Sequence, residues 1–283
     1  MRPNPQQLNK AAIWIICGLS GYLMISIFIW IYYDILMESF KHLDIAFFIE
    51  SPENAGRAGG IKPILMSTLL ILAICLAVSF PLALGTAVVL SGQFIPLGSF
   101  GRVIHQAVLV LAGVPSVVFG LFGNVLFCQY LGFGYSILSG GLTLACMILP
   151  LSIKLLEDSL RSVPSETLLS SKALGLSYYS TIFRIILPSI TPQLTAAFIL
   201  SIGRAMAETA ALLFTSGYVM REPSSIFDSG RTLSIHIFDL SMNVSGGDRN
   251  AYLTAFTLLI GLLLVNLIGH GINRTWRYFQ YGH

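Results

Sequence analysis

The stretch EDSLRSVPSETLLSSKALGLSYYSTIFRIILP, residues 157–188, is a polar interruption in a very apolar chain. It is followed by an apolar stretch that nevertheless contains two charged residues, Arg204 and Glu208. Charge at the centre of a bilayer costs about 2.5–3.5 kcal/mol on insertion scales, so an intramembrane charge usually has a function. A loop suited to a soluble partner is therefore joined to a helix suited to a polar solute.

The composition indicates a membrane protein. Of the 283 residues, 55% are hydrophobic and only 10% are charged, whereas soluble domains carry about 25% charged residues. Six apolar runs reach the roughly 20 residues that a spanning helix needs. They are Ala11–Tyr33, Pro63–Leu90, Val103–Tyr130, Phe133–Ile153, Ile190–Leu213 and Ala251–Ile272. We therefore predict an all-α membrane protein with six transmembrane helices, of which the first is too long for a cleavable signal sequence.

Basic residues orient the predicted spans, because they favour the cytoplasmic side. With both termini cytoplasmic, the inner segments hold nine basic residues: Arg2, Lys10, Arg102, Lys154, Arg161, Lys172, Arg184, Arg274 and Arg277. The outer segments hold six: Lys41, Arg57, Lys62, Arg221, Arg231 and Arg249. We expect an N-terminal part at 1–62, a core at 63–272 with five transmembrane helices and a cytoplasmic loop at 152–189, and a cytoplasmic tail at 273–283. The net charge of +3 follows from this topology and gives no indication of nucleic-acid binding.

Motifs of catalysis and cofactor binding are missing from the sequence. No Gly-Lys dipeptide occurs, which excludes a Walker A loop, and there is no H-E-x-x-H, G-x-S-x-G or EF-hand motif. The four cysteines lie in apolar runs without a C-x-x-C pair and are expected to pack as small hydrophobic residues. We predict no catalytic residue, cofactor or metal in this chain, so energy for transport would come from a partner or an ion gradient.

The charged pair forms part of a predicted polar stripe. On a continuous helix, Arg204 and Glu208 are one turn apart, and Ser201 and Thr215 share their face. Such a stripe should face protein or water. A guanidinium matches oxyanions, which suggests a solute pathway in which Glu208 neutralises Arg204 when no solute is bound. The alternative is a salt bridge that only locks two helices.

The polar loop is predicted to hold two short helices. Val163-Pro164-Ser165 is typical of a helix start and Gly175 of a helix end, so we expect a helix over Glu166–Leu174. A second helix should run from Ser177 or Tyr178 to Leu187. Loops longer than about 12–15 residues are usually functional, and a helix lying between two spans suits docking of a partner.

The loop resembles the coupling loop of ABC importer permeases. Gly175, nine residues, Ile185, one residue and Leu187-Pro188 reproduce the family's G-x9-I-x-L-P spacing. The resemblance implies that the loop sits in a cleft of an ATPase subunit. Leu169-Ser170-Ser171 stands where the family has Glu-Ala-Ala, so the acidic residue is missing. The residues assigned to this docking surface are Glu166, Leu169, Ser170, Ser171, Lys172, Ala173 and Gly175.

Three stretches resemble the Pst phosphate permeases, most closely the A-type subunit. GRAMAETAALLFTSG at 203–217 is similar to the signature G-R-A-x-G-E-T-A-P-L-L-F-T-A-G, with Ala207 in place of Gly and Ala211 in place of Pro. LAGVPSVVFGLFG at 111–123 and the segment 67–90 resemble that family's third and second spans.

The resemblance implies a type I importer permease (MetI-like) fold in the bacterial inner membrane. It implies a heterodimer with a C-type permease, a dimer of ATP-binding subunits that hold ATP and Mg²⁺, and a periplasmic phosphate-binding protein facing the outer segments 34–62 and 214–250. Inorganic phosphate would pass along Arg204, Glu208, Ser201, Thr209 and Thr215. Within the second outer segment, residues 231–240 are expected to form a short helix or gate.

Two other functions fit the same residues. The chain could be a permease for another oxyanion such as sulfate, molybdate or tungstate, because the chemistry of Arg204 suits any of them. It could also be a membrane scaffold or sensor that docks an ATPase without moving a solute. An ion-coupled carrier would not need a coupling loop.

Overall fold

A computed structural model describes residues 5–93 and 98–281 of the chain. Arg2 and the end of the predicted cytoplasmic tail, residues 282–283, lie outside the described residues, as do the side chains of Lys10 and Arg277. The described chain is mostly helical. Its helices are α1 (Pro5–Phe40), α2 (Ala46–Ile49), α3 (Lys62–Leu90), α4 (Ser99–Ala112), α5 (Ser116–Gly123), α6 (Ile137–Arg161), α7 (Ser165–Ala173), α8 (Tyr178–Thr181), α9 (Leu187–Ser189), α10 (Thr191–Met206), α11 (Ala210–Leu213), α12 (Leu233–Met242) and α13 (Asp248–Tyr281).

Short irregular helices and one hairpin complete the fold. Two π-helical segments, Asn124–Tyr130 and Ile182–Ile186, extend α5 and join α8 to α9. On the segment between α2 and α3, strands β1 (Pro52–Glu53) and β2 (Ala58–Gly59) pair antiparallel around a 3₁₀ turn, with Pro52 opposite Gly59 and Glu53 opposite Ala58.

Four helices in the described chain are long and apolar enough to cross a membrane, namely α3, α6 and the Ile13–Phe40 and Asp248–Thr275 parts of α1 and α13. Two bent pairs pass the same test: Ser99–Ala112 with Ser116–Tyr130, and Tyr178–Ser189 with Thr191–Met206. The chain thus has six spans, as predicted, if each bent pair counts as one. The apolar runs of the sequence therefore correspond to these four helices and two bent pairs.

The third predicted span, Val103–Tyr130, is not one helix. Its two halves meet at 106°, between Ala112 and Ser116. The cause is local: Pro115 has no N–H to donate and adopts an extended ψ of 143°, and the residue before a proline is disfavoured in the α conformation. The proline therefore divides the single predicted helix into two helices with a full break between them.

The fourth span begins later than predicted, at Ile137 instead of Phe133. Gly132 and Gly134 adopt left-handed φ angles of +72° and +62°, which end the preceding helix. Ser136 then caps α6, because its hydroxyl accepts a hydrogen bond of 3.1 Å from the N–H of Ser139.

Helix α6 lies at the centre of the bundle. It packs most extensively on α3 and also contacts α4, α5, α10 and α11. The approach to α3 is close, since a Cβ on Gly141 would lie 2.8 Å from the Cβ of Ile74. Helix α1, in contrast, contacts α13 through its end: Tyr252 donates a 2.8 Å hydrogen bond to Asp34, and Phe40 stacks edge-on with Phe256.

Candidate functional site

The helix that carries Arg204 ends just after it. Helix α10 stops at Met206, residues 207–209 are not helical, and α11 restarts at Ala210. The predicted continuous span Ile190–Leu213 is therefore wrong. Non-helical backbone at membrane depth is tolerated only where protein covers it or where it lines a water-filled cavity. We therefore expect this break to lie in one of these two settings and not against lipid.

Glu208 stabilises the break through both its side chain and its backbone carbonyl. Its carboxylate Oε1 accepts a hydrogen bond of 3.1 Å from the N–H of Ala211, and so caps the first turn of α11. Its backbone carbonyl accepts a 2.6 Å hydrogen bond from the hydroxyl of Ser234 on α12. The carboxylate therefore caps the start of α11 and does not share a continuous helical face with Arg204.

Arg204 has an exposed side chain. The predicted ion pair with Glu208 is not formed, and no described acidic residue pairs with this guanidinium. The physical reason is the end of α10, which removes the one-turn spacing that a helix would have given the two side chains. Both residues still line one open recess of about 430 Å³, together with Leu200 and Ala207 and with Leu151 and Leu155 of α6.

The other members of the predicted stripe are buried between helices. The Ser201 hydroxyl lies 2.8 Å from that of Ser152 and donates to the carbonyl of Ala197, which ties α10 to α6. Thr215 is fully buried and donates a 3.0 Å hydrogen bond to the carbonyl of Ala211. Thr209, half-buried, directly precedes α11. The expectation of one continuous polar face is therefore wrong, and only Arg204 and Glu208 share a surface.

The predicted short helix in the outer segment 231–240 exists as α12, which begins at Leu233. Thr232 caps it, and its first N–H, on Leu233, donates a 3.0 Å hydrogen bond to Thr68 of α3. Because Ser234 also contacts the carbonyl of Glu208, α12 fixes the break between α10 and α11 onto α3. The contact between Ser234 and Glu208 was not predicted from the sequence, because no local sequence signal pairs two residues that lie 26 positions apart.

A buried ionic cluster anchors α12. Arg231 pairs with Asp239 at 2.9 Å and donates through Nε to the carbonyl of Tyr218 at 3.1 Å. Its Nη1 lies 3.3 Å from Nδ1 of His236. Since a guanidinium only donates, Nδ1 accepts and the imidazole proton sits on Nε2. Burial, helped by the Arg231 charge and opposed by Asp239, lowers the pKa of His236 to about 3, so this histidine is neutral.

The polar segment after α6 contains the two short helices that the sequence predicts, but it begins later than the predicted residue 152, because α6 continues to Arg161. Helix α7 spans Ser165–Ala173, and Gly175 follows with a left-handed φ of +69°. The N–H of Gly175 bonds the carbonyl of Lys172 at 3.0 Å, and the N–H of Leu176 bonds that of Ser171 at 3.1 Å. This is a Schellman motif, in which glycine avoids the strain that a side chain would cause.

Six of the seven residues assigned to docking are exposed: Glu166, Leu169, Ser170, Lys172, Ala173 and Gly175. Ser171 is buried and donates to the carbonyl of Thr167, so its side chain is not presented to a partner. Beyond the glycine, Ser177 caps the second predicted helix, which runs from Tyr178 to Ser189 and meets α10 at 74°. Its exposed Tyr178 and Tyr179 extend the surface of α7.

Within the described residues, no group of three or more His, Cys, Asp or Glu side chains is placed to hold a metal ion. All four cysteines are free thiols, and Cys75 and Cys128 are buried as the prediction of small packing residues expects. The chemistry available at this site is therefore that of one guanidinium, one carboxylate and backbone groups.

Residues 79–276 match the family described as "Binding-protein-dependent transport system inner membrane component". The chain is 29% identical over 265 residues to a probable ABC transporter permease protein, YqgI, of Bacillus subtilis, which covers 88% of this chain and 90% of that protein. It is 35% identical over 214 residues to the phosphate transport system permease protein PstA of Mycobacterium leprae, covering 75% of this chain and 70% of that protein. The predicted resemblance to A-type phosphate permeases is thus confirmed.

Two solved structures share the fold. A permease in an inward-facing MetNI methionine ABC transporter has a TM-score of 0.61 at 15% identity, covering 76% of this chain and 96% of its own. A chain of a bacterial ABC transporter involved in import of the acidic polysaccharide alginate has a TM-score of 0.66 at 13% identity, covering 96% of this chain and 99% of its own. The predicted MetI-like importer permease fold is confirmed.

Proposed function

The chain belongs to the family of binding-protein-dependent transport system inner membrane components and is a transmembrane permease subunit of an ABC importer; we propose that its solute is inorganic phosphate. The relatives named as phosphate permeases support this choice of solute. The observation that carries the proposal is the exposed guanidinium of Arg204 at the break between α10 and α11, which forms no ion pair with any acidic residue in the described part of the chain.

The position of Arg204 fits a pathway better than a structural role. It lies thirteen residues after Thr191, so the 1.5 Å rise of a helix places it about 20 Å from the end of α10 that adjoins the coupling loop. An exposed guanidinium at that depth needs water, a partner subunit or an anion beside it. A tetrahedral oxyanion supplies two oxygens to the planar fork of donors at once.

Glu208 and its neighbours support this site in different ways. Its carboxylate caps α11. It also lines the same recess as Arg204, where its negative charge lowers the affinity for an anion and so aids release. Thr209 lies beside it in the break. Ser201 and Thr215 act through packing, by fixing α10 on α6 and by ordering the turn after α11.

The recess is open in a single chain, which suits a pathway completed by a second subunit. We propose a C-type permease across this face, and a dimer of ATP-binding subunits that hold ATP and Mg²⁺ and dock on the exposed face of α7 and on Tyr178 and Tyr179. A periplasmic phosphate-binding protein faces the outer segments 34–62 and 214–250. Both termini are cytoplasmic in the bacterial inner membrane, and ATP hydrolysis belongs to the partner.

The test is uptake by a reconstituted complex. The chain is assembled in proteoliposomes with its partner permease, ATP-binding subunits and binding protein, and uptake of phosphate, sulfate and molybdate is measured with and without ATP. ATP-dependent uptake of phosphate well above the other two supports the proposal. Preference for sulfate or molybdate assigns another oxyanion, and ATP hydrolysis with no uptake of any anion favours the scaffold.

A further inference from the structure

Glu157 is a fully buried carboxylate near the end of α6, shortly before the coupling loop in the sequence. It lies outside the recess around Arg204, so the solute pathway does not account for it. Buried carboxylates are rare and costly unless paired, which means that the fold keeps this charge for a reason.

Two basic side chains from two helices face one oxygen of this carboxylate. Oε1 of Glu157 lies 2.7 Å from Nη2 of Arg161, one turn further along α6, and 3.4 Å from Nδ1 of His105 on α4. The same Nη2 donates a 3.2 Å hydrogen bond to the carbonyl of Leu90, the last residue of α3. The cluster therefore joins the end of α6 to the end of α3 and to the middle of α4.

This junction adjoins the coupling loop directly. Arg161 is the last residue of α6, and only Ser162, Val163 and Pro164 separate it from α7. Val163 is buried in the same apolar cluster as Leu90 and Leu160. Because the link is short and its middle residue is packed, α7 cannot move far without moving the end of α6.

The junction also has a route to the break. Helix α4 leads into α5, and α5 packs against α11 so closely that a Cβ on Gly120 would lie 2.8 Å from the Cα of Ala211. Helix α4 is therefore connected, through residues 113–115 and α5, to the short helix that Glu208 caps.

We propose that Glu157 is a positioning residue that makes α3, α4 and the end of α6 respond as one body when an ATPase moves α7. The inference rests on the proposed function. Separating the carboxylate from Arg161 or His105 would leave a buried charge without its partners, so α3, α4 and the end of α6 stay together through the transport cycle. The movement of α7 that ATP hydrolysis drives is then transmitted to α11 and is not confined to the loop.

The decisive variant is Glu157→Gln, which keeps the shape and removes the charge. In the reconstituted complex, phosphate taken up per ATP hydrolysed should fall about fivefold or more, the size of a typical coupling free energy, while ATP hydrolysis stays within about twofold of the wild type. A merely structural role would lower both rates together, because both would follow the amount of folded complex.

Lys154 and Asp158 provide the matched control. They form an exposed pair, 2.8 Å apart with the same one-turn spacing on the same helix, and neither side chain is buried. Asp158→Asn should leave the ratio unchanged. If Glu157→Gln fails to assemble, the double variant Glu157→Gln with Arg161→Gln leaves no unpaired buried charge and should assemble with a lowered ratio.

The outcomes separate the two proposals. A wild-type complex that takes up no anion overturns the proposed function. A wild-type complex that transports, with a Glu157→Gln ratio equal to its own or with both rates reduced in parallel, overturns the role of Glu157 alone.

Discussion

The hydroxyl of Ser234 donates a 2.6 Å hydrogen bond to the backbone carbonyl of Glu208, across 26 residues of sequence. This bond satisfies a carbonyl that the end of α10 leaves without a helical partner. It also attaches the break at 207–209 to α12, which is itself held by Arg231 and by Thr68 of α3. The geometry around Arg204 thus depends on an element outside the spans.

Replacing Ser234 by alanine should loosen the break. The Glu208 carbonyl would lose its partner in a buried setting, at a cost of about 1–3 kcal/mol. We expect a lower Tm of the purified complex and phosphate uptake reduced by about fivefold or more. Ser241→Ala, on the exposed end of the same helix, is the control and should change neither. Equal behaviour of the two variants would show that the bond does not position the break.

The neutral, buried His236 should make stability depend on pH. Its pKa in the folded chain is about 3, against an ordinary 6.5. Between these values the unfolded chain binds a proton that the folded chain does not, so stability falls as pH falls below 6.5, by up to about 1.4 kcal/mol per pH unit. Above pH 6.5 the histidine is neutral in both the folded and the unfolded chain, so it causes no loss of stability there.

His236→Asn tests this dependence, because asparagine can accept from Arg231 and does not titrate. The Tm of the variant, measured from pH 7 to pH 5, should fall less steeply than that of the wild type. The exposed His270 provides a comparison, and His270→Asn should keep the wild-type slope. An unchanged slope in His236→Asn would mean that another group causes the acid sensitivity.

Gly175→Ala should weaken docking of the ATPase through backbone strain alone. No atom lies within 4 Å of where a Cβ at position 175 would be, but its φ is +69°, which costs a residue with a side chain roughly 1–2 kcal/mol. We expect the affinity for the ATP-binding subunits to drop by about 5- to 30-fold. Gly85, in α3, has equal space and an ordinary helical backbone, so Gly85→Ala should bind normally. Wild-type affinity of Gly175→Ala would contradict the role of the Schellman turn.

The parts of the fold that sequence predicted well depend on local chemistry. Apolar runs of 20 or more residues with few charges became membrane-length helices or bent helix pairs, because lipid excludes charge. The turn at Gly175 was predicted because a glycine after a helix favours a left-handed residue. A bend at Pro115 also follows from local chemistry, because proline lacks the N–H that a continuous helix needs. The size of that bend, 106°, depends on how the two halves pack and was not predictable.

The parts that sequence missed depend on contacts between distant residues. The spacing of Arg204 and Glu208 predicted an ion pair only if the helix continued. Capping by the Glu208 carboxylate and the bond from Ser234 stabilise the break instead. Glu157 looked like one more acid of a polar loop. The one-turn spacing to Arg161 was visible, but the burial of Glu157 depends on α3 and α4 closing over it.

The most direct test of the phosphate pathway is the initial rate of ATP-dependent phosphate uptake by Arg204→Ala in the reconstituted complex. Loss of a hydrogen-bonded charge of this kind is worth about 1.5–3 kcal/mol, so the rate at low phosphate should fall about 10- to 100-fold. Arg204→Lys, which keeps the charge but not the fork of donors, should lie between. Uptake by Arg204→Ala at the wild-type rate, in a complex that still hydrolyses ATP, would contradict the assignment of Arg204 to the pathway.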